Sequence, residues 1–96
     1  MKAESAKFKG VVEAGHKGCA VEIAFDPARL WKVQPTQIVY QKVKGIPVAG
    51  RLNRVPFSSW IISRWGKRFV LISDDHLMSA RVKPGDEVRI EVTPVR

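Results

Sequence analysis

The chain has 96 residues, an apolar fraction of 45% and a formal net charge of +8. This length suits one domain with a single core, here residues 1–96 with 1–5 as a loose N-terminus, and the apolar fraction argues against disorder. Cys19 is the only cysteine, which excludes an internal disulfide and a thiolate zinc cluster and favours a reducing cytoplasm. No segment resembles a signal peptide or a membrane span, so neither secretion nor membrane insertion is predicted.

The first third of the chain predicts a hairpin followed by a short helix. Residues 7–14 and 19–25 alternate between apolar and polar side chains, and residues 15–18 read as the turn between these two strands. Asp26 followed by Pro27 is a helix start, with a side-chain acceptor at the N-cap and proline at the first helical position. Gln34 and Pro35 require that helix to be short.

The middle of the chain predicts further strands. Residues 39–43 and 48–52 read as strands, and Asn53-Arg54 as a turn into a long strand at 55–65. Gly66-Lys67 then lies between two β-prone runs, with glycine where a type II′ hairpin turn requires it.

This turn predicts a register for the hairpin. The expected cross-strand pairs are Trp65 with Arg68, Arg64 with Phe69, Ile62 with Leu71 and Ile61 with Ile72. Each arginine at the turn then has an aromatic neighbour. Two interpretations stay open: cation–π contacts that stiffen a solvated hairpin, or a basic, aromatic finger offered to phosphate and bases.

The last third of the chain repeats the pattern of the first. Asp74 is predicted as the N-cap of a second short helix that ends near Arg81, and residues 83–86 predict a type II turn into a strand at 87–92. Segments 20–35 and 69–84 therefore form a weak internal repeat. The repeat predicts two hairpin-plus-helix halves that close into an all-β fold with two short helices, a mostly antiparallel barrel of about six strands.

Several motifs, in order, resemble the domain-of-unknown-function 1905 family. They are KFKGVVE at 7–13, GCAVEI at 18–23 with FDP at 25–27, PVAGRLN at 47–53 with VPF at 55–57, and VKPGDEV at 82–88. The resemblance covers nearly the whole chain and implies a small double-split β-barrel, similar to the swapped-hairpin barrels of AbrB- and MazE-like DNA-binding proteins. The family has no settled activity, so the resemblance implies a fold and no functional residues. This chain departs from the family pattern in a longer, more basic segment at 36–46 and in Arg54, where a turn glycine is common.

The positive charge is concentrated in the middle of the chain. Residues 27–73 contain nine Lys or Arg and no Asp or Glu, together with six of the eight aromatic residues, whereas the flanks are about neutral. A basic surface that carries aromatic side chains suits DNA or RNA. The predicted nucleic-acid contacts are phosphate binding by Arg51, Arg54, Arg64, Lys67 and Arg68, with Trp65 stacking on a base.

Other interpretations of the basic middle stay open. Lys42, Lys44 and Tyr40 form either a ridge beside the predicted site or an edge strand protected by lysine against pairing with another sheet. Residues 38–40 could contact a partner protein. The alternative function is therefore a protein-interaction or small-ligand-binding barrel, as a monomer or weak homodimer, with no role in nucleic-acid binding.

Residues suited to catalysis are sparse. Asp74, Asp75 and His76 are consecutive, whereas side chains on one helical face lie three or four residues apart, so capping is the predicted role of these acids. His16 lies three residues before Cys19, but a turn histidine and a strand cysteine are more typical of an exposed and a buried residue. The sequence predicts a non-enzymatic binding module with no cofactor and no metal.

Overall fold

The computed structural model describes residues 5–15, 18–37 and 44–95. The strand predicted at 39–43, with Tyr40 and Lys42, and the turn residue His16 lie outside these ranges. The elements are, in chain order, β1 (Ala6–Ala14), β2 (Cys19–Ile23), α1 (Pro27–Trp31), β3 (Thr36–Gln37), β4 (Lys44–Leu52), β5 (Val55–Arg64), β6 (Lys67–Ile72), α2 (Asp74–Ala80) and β7 (Glu87–Pro94).

Six of the strands form a closed antiparallel barrel. Their order is β4, β5, β6, β2, β1 and β7, and β7 pairs again with β4 to close the sheet. The short β3 pairs with the beginning of β4. The predicted all-β barrel with two short helices is thus confirmed. Neither described helix is long and apolar enough to cross a membrane.

The barrel consists of the two predicted halves. One half is β1, β2 and α1, and the other is β5, β6 and α2, each a hairpin followed by a helix. The halves meet where β2 pairs antiparallel with β6, with Val21 opposite Val70, and the strands that follow the helices, β4 and β7, pair on the other side. The strand pairings of one half match those of the other, as an approximate twofold axis requires. This match explains the internal repeat.

Strand alternation separates the core from the outer surface. In β7, Val88, Ile90 and Val92 are each at most 2% exposed, whereas Glu87 and Arg89, which alternate with them, are exposed. This is the period of two that a strand with one buried face must have. Burial of each such aliphatic side chain contributes about 1.5–3 kcal/mol, so the inward faces hold the barrel together while the outward faces remain available for function.

Gly50 permits the closure between β4 and β7. A Cβ atom built at this position would overlap the carbonyl oxygen of Glu91 and lie 2.7 Å from its carbonyl carbon. Only glycine therefore allows the two backbones to approach as closely as they do, and we call this contact the seam.

The caps of the two helices differ in one respect from prediction. In α1, Asp26 Oδ1 accepts hydrogen bonds from the backbone N–H groups of Ala28 at 3.1 Å and Arg29 at 3.3 Å, as predicted. The N-cap of α2 is Ser73, so the prediction of Asp74 was wrong by one residue. Ser73 is the N-cap because it forms a capping box with His76. Its backbone N–H donates to His76 Nδ1 and its hydroxyl accepts from the His76 N–H, so both backbone N–H groups are satisfied.

The turn before β7 has the predicted geometry. Asp86 N donates to Lys83 O at 3.1 Å, and Gly85 has a φ of +96°. A type II turn needs this positive φ at its third residue. The turn that delivers the chain into β7 is therefore specified locally.

The register of the β5–β6 hairpin differs from the prediction. Trp65 and Gly66, with φ of 55° and 74°, are the central residues of the turn, which makes it type I′ rather than II′. The observed cross-strand pairs are Arg64 with Lys67, Ser63 with Arg68, Ile62 with Phe69 and Ile61 with Val70. The shift is two residues, so every side chain keeps its predicted face. Pairing of β6 with β2 and the contact of Trp65 with Phe69 override the local rule that disfavours tryptophan in a left-handed conformation.

Candidate nucleic-acid interface

The structure divides the six predicted nucleic-acid contacts into two groups. Arg51 in β4 and Arg54 in the turn after it lie beside the beginning of β5. The other four, Arg64, Trp65, Lys67 and Arg68, lie at the end of β5 and at the start of β6. A strand of this length extends roughly 30 Å at about 3.3 Å per residue. The predicted contacts therefore form two separate surfaces.

We call residues 64–68 the hairpin tip. Trp65 is 72% exposed, and Arg64 Cζ lies 5.6 Å from the centroid of its ring. The rings of Trp65 and Phe69 meet edge to face with centroids 6.3 Å apart. Arg64 thus has an aromatic neighbour as predicted, but the neighbour is Trp65 rather than Phe69.

Acidic side chains offset much of the positive charge of the hairpin tip. Lys67 Nζ lies 3.6 Å from Glu22 Oε1, and Arg68 lies 3.3 Å from Asp26 Oδ2. Arg68, predicted to lie against Trp65, therefore pairs with a carboxylate. Exposed ion pairs contribute only about 0–1 kcal/mol to stability, but they lower the net charge presented to a polyanion.

Arg51 and Arg54 belong to a different surface, which we call the basic groove. They line an open groove of about 510 Å³ together with three cations that were not predicted from the sequence, Lys7, Lys9 and Arg89. The remaining lining residues are Phe8, Asn53, Ile90 and Glu91. The ring of Phe8 contacts the ring of Phe25 edge to face, with centroids 5.6 Å apart.

The strand register brings the cations of the basic groove together. Glu91 on β7 lies opposite Lys7 on β1 and, on its other side, opposite Arg51 on β4. Two residues earlier on β7, Arg89 lies opposite Lys9. Neighbouring strands are about 4.8 Å apart, so three adjacent strands place these side chains within roughly 10 Å of each other.

Asn53 holds the β4–β5 turn against the same strand. Its Oδ1 accepts a hydrogen bond from Arg89 N at 2.9 Å, and its backbone N–H donates to Arg89 O at 2.7 Å. This fixes the position of Arg54, the next residue along the chain, at the edge of the groove. Asn53 has a φ of 57°, a conformation that asparagine adopts more readily than most residues.

The groove has an excess of positive charge. Lys7 Nζ lies 3.5 Å from Glu91 Oε2, but among the described residues the other four groove cations form no ion pair with a carboxylate. Lys9 and Arg89 are directly opposite each other, and like charges in such a cross-strand pair destabilise a sheet. A bound anion would relieve this repulsion.

Lys7, Lys9 and Arg89 were not predicted because they belong to flanks that are neutral in sum. The alternating positions of Lys7 and Lys9 show that they share one face of a strand. The sequence contains no signal that β7 would lie between that strand and β4. Only the pairing of β7 with β4 across the seam brings these three cations next to Arg51 and Arg54.

The residues considered for catalysis do not form a site in the described part of the chain. Cys19 is buried in the core. His76 uses Nδ1 in the cap of α2 and meets the ring of Phe57 edge to face at 5.1 Å, and burial lowers its pKa against an opposing effect of Asp75. Within residues 5–15, 18–37 and 44–95, no three His, Cys, Asp or Glu side chains are grouped to hold a metal ion.

Comparison with known proteins assigns no family to this chain. No protein-family model matches it, and no curated protein matches it at a significant level. The basic groove and the hairpin tip are therefore the basis for a functional proposal.

Proposed function

We propose that this protein is a non-enzymatic nucleic-acid-binding barrel that holds the phosphate backbone in the basic groove. The observation that carries the proposal is the cross-strand pair of Lys9 and Arg89, two cations held against each other with no carboxylate partner among the described residues. Membership of the domain-of-unknown-function 1905 family is also a proposal, and the closed barrel is consistent with it.

Phosphate is the anion that suits this arrangement. Arginine presents a planar fork of donors that binds phosphate oxygens in pairs, and the groove contains three arginines, Arg51, Arg54 and Arg89. Cations on neighbouring strands offer several phosphate contacts at once. Neutralisation of five phosphates would change the logarithm of the binding constant with a slope of about −3.5 to −4.5 against the logarithm of salt concentration.

The excess charge makes the basic groove the stronger candidate for phosphate contacts. Lys67 and Arg68 at the hairpin tip must first give up part of their pairing with Glu22 and Asp26. Among the described groove residues, only Lys7 has such a competitor. We therefore assign the main phosphate contacts to the groove.

The test compares two double variants that remove the same charge. Lys9→Gln with Arg89→Gln removes the opposed pair from the groove, whereas Arg81→Gln with Lys83→Gln removes an exposed arginine and an exposed lysine that do not line it. Each protein is titrated into labelled single- and double-stranded DNA and RNA at about 0.05 and 0.2 M salt, and anisotropy gives Kd.

We expect the groove variant to bind at least about tenfold more weakly at the lower salt concentration. Its salt slope should become shallower by about 1.4–1.8, which corresponds to the removal of two phosphate contacts. The control variant should keep the wild-type slope. Equal effects of the two variants would mean a general polycation effect and would favour the protein-interaction or small-ligand function instead.

A further inference from the structure

Trp65 occupies a backbone conformation that disfavours it. Its φ of 55° lies in the left-handed region, which bulky residues rarely adopt. Asn-Gly is the sequence that a type I′ turn prefers, because asparagine and glycine enter this region most readily. Here Trp65 stands in the first of the two positions, before Gly66, so the turn is less stable than its backbone geometry allows.

The indole ring is also exposed. Trp65 is 72% exposed, whereas Trp31 in α1 is only 5% exposed. The contacts of Trp65 with Arg64 and Phe69 stabilise one orientation of the indole ring but leave most of the ring surface in water. A large aromatic side chain held in a strained turn and in water is typical of a residue that contacts a ligand.

We propose that Trp65 stacks on an unpaired base, so that the nucleic acid bound by this protein is single-stranded where it meets the hairpin tip. This inference rests on the proposed function. Indole stacks on any base, because every base has a π-face, and Arg64 beside the ring can follow the adjoining phosphate. The paired bases within a duplex are stacked on each other and present no free face to the ring.

The position of the tip sets the length of the strand. Trp65 and the basic groove lie at opposite ends of β5, roughly 30 Å apart along the strand. A strand that keeps the stacked rise of about 3.4 Å per nucleotide needs about nine nucleotides to contact both surfaces. A probe slightly longer than this span, a 12-mer, is therefore suitable.

The test separates base contacts from phosphate contacts. The probes are a labelled thymidine 12-mer, an abasic strand with the same number of phosphates, and a duplex of the same length. Trp65→Asn removes the ring but suits the left-handed backbone, and Trp65→Phe keeps a smaller ring. The Lys9→Gln, Arg89→Gln double variant reports on the groove, and Tm reports on the fold.

The wild-type protein should bind the thymidine strand more tightly than the abasic strand. Trp65→Asn should weaken binding to the thymidine strand at least about fivefold, with Trp65→Phe intermediate, because only stacking on one base is removed. Its Kd for the abasic strand and the duplex should stay within about twofold of wild type, since phosphate binding is unchanged. Its Tm should equal or exceed that of wild type, because strain is relieved.

Two results would overturn the stacking role. One is equal binding of thymidine and abasic strands by the wild-type protein. The other is a Trp65→Asn variant with a lower Tm and unchanged binding, which would make the ring structural. The failure of the proposed function looks different, because the groove variant would then bind all three probes as the wild type does.

Discussion

In the basic groove five cations share one carboxylate, whereas at the hairpin tip two of three cations have an acidic partner of their own, as far as the described residues show. The tip is the more conspicuous region in the sequence, because its basic and aromatic residues are nearly consecutive. The groove has the larger excess charge because Glu22 and Asp26, from the first third of the chain, reach the tip. The number of cations in a segment therefore does not give the charge that a ligand meets.

The two regions also differ in how they are built. Residues 64–68 are held by one turn, so their proximity is local. The cations of the groove come from β1, β4 and β7 and from the turn after β4, and they meet because the barrel closes. The groove should therefore depend on the seam, and the tip should not.

The largest effect is expected from Gly50→Ala. The added methyl group would overlap the backbone of Glu91, so we expect a decrease of about 3 kcal/mol or more in the free energy of unfolding, measured in urea. Ala49→Ser, one residue earlier, is the control and should change stability by at most about 0.5 kcal/mol. A Gly50→Ala protein as stable as wild type would show that the seam is not tightly closed.

Replacement of Asp26 separates its two roles. Asp26→Ala removes the N-cap of α1 and the partner of Arg68, and should lower the free energy of unfolding by about 1–2 kcal/mol in thermal melts. Asp26→Asn keeps a good N-cap, so it should be nearly as stable as wild type while Arg68 becomes available. We expect this variant to bind single strands about twofold more tightly, as a small electrostatic gain at an exposed site. Unchanged binding would mean that the tip takes no part.

The groove variant, Lys9→Gln with Arg89→Gln, should bind nucleic acid more weakly but fold more stably than the wild type. Removal of the opposed charges by Lys9→Gln and Arg89→Gln should raise the free energy of unfolding by about 0.2–1 kcal/mol at low salt. This gain should shrink as salt increases, because exposed charges are screened. Lys67→Gln at the tip should give a smaller gain, because it removes the repulsion from Arg64 opposite it but also breaks the ion pair with Glu22. A destabilised groove variant would contradict the repulsion that we infer.

The smallest effect is a pH dependence of stability that arises outside both regions. Burial lowers the pKa of His76, so the unfolded chain takes up a proton before the folded protein does. Stability should therefore be highest above about pH 6.5, fall as the pH drops below it, and level off below the folded pKa. Thermal melts across this range measure the effect.

His76→Gln is the control for this pH dependence. Glutamine can also serve in a capping box but does not titrate, so the variant should lose this component of the pH dependence. Melting temperatures of variant and wild type that fall in parallel would show that another group is responsible.

Much of the local structure could be predicted from residue types. Asp26-Pro27 and Pro84-Gly85 specify a helix start and a turn through backbone geometry that only neighbouring residues determine. The prediction of the hairpin turn was wrong because its type depends on the pairing of β6 with β2 and on the contact of Trp65 with Phe69. The predicted N-cap of α2 was wrong because Ser73 and Asp74 are both good caps, and the side chain of His76 decides between them.

The sequence by itself determined most strands of the barrel, the two short helices and the repeat, because alternation, caps and turns act over a few residues. It also placed Arg51 and Arg54 among the candidate contacts. Only the tertiary structure decided that Lys7, Lys9 and Arg89 join them and that Glu22 and Asp26 offset the charge of the tip. Coulomb interactions depend on distance in space, and the strand pairings of the barrel, with the seam between β4 and β7, set those distances.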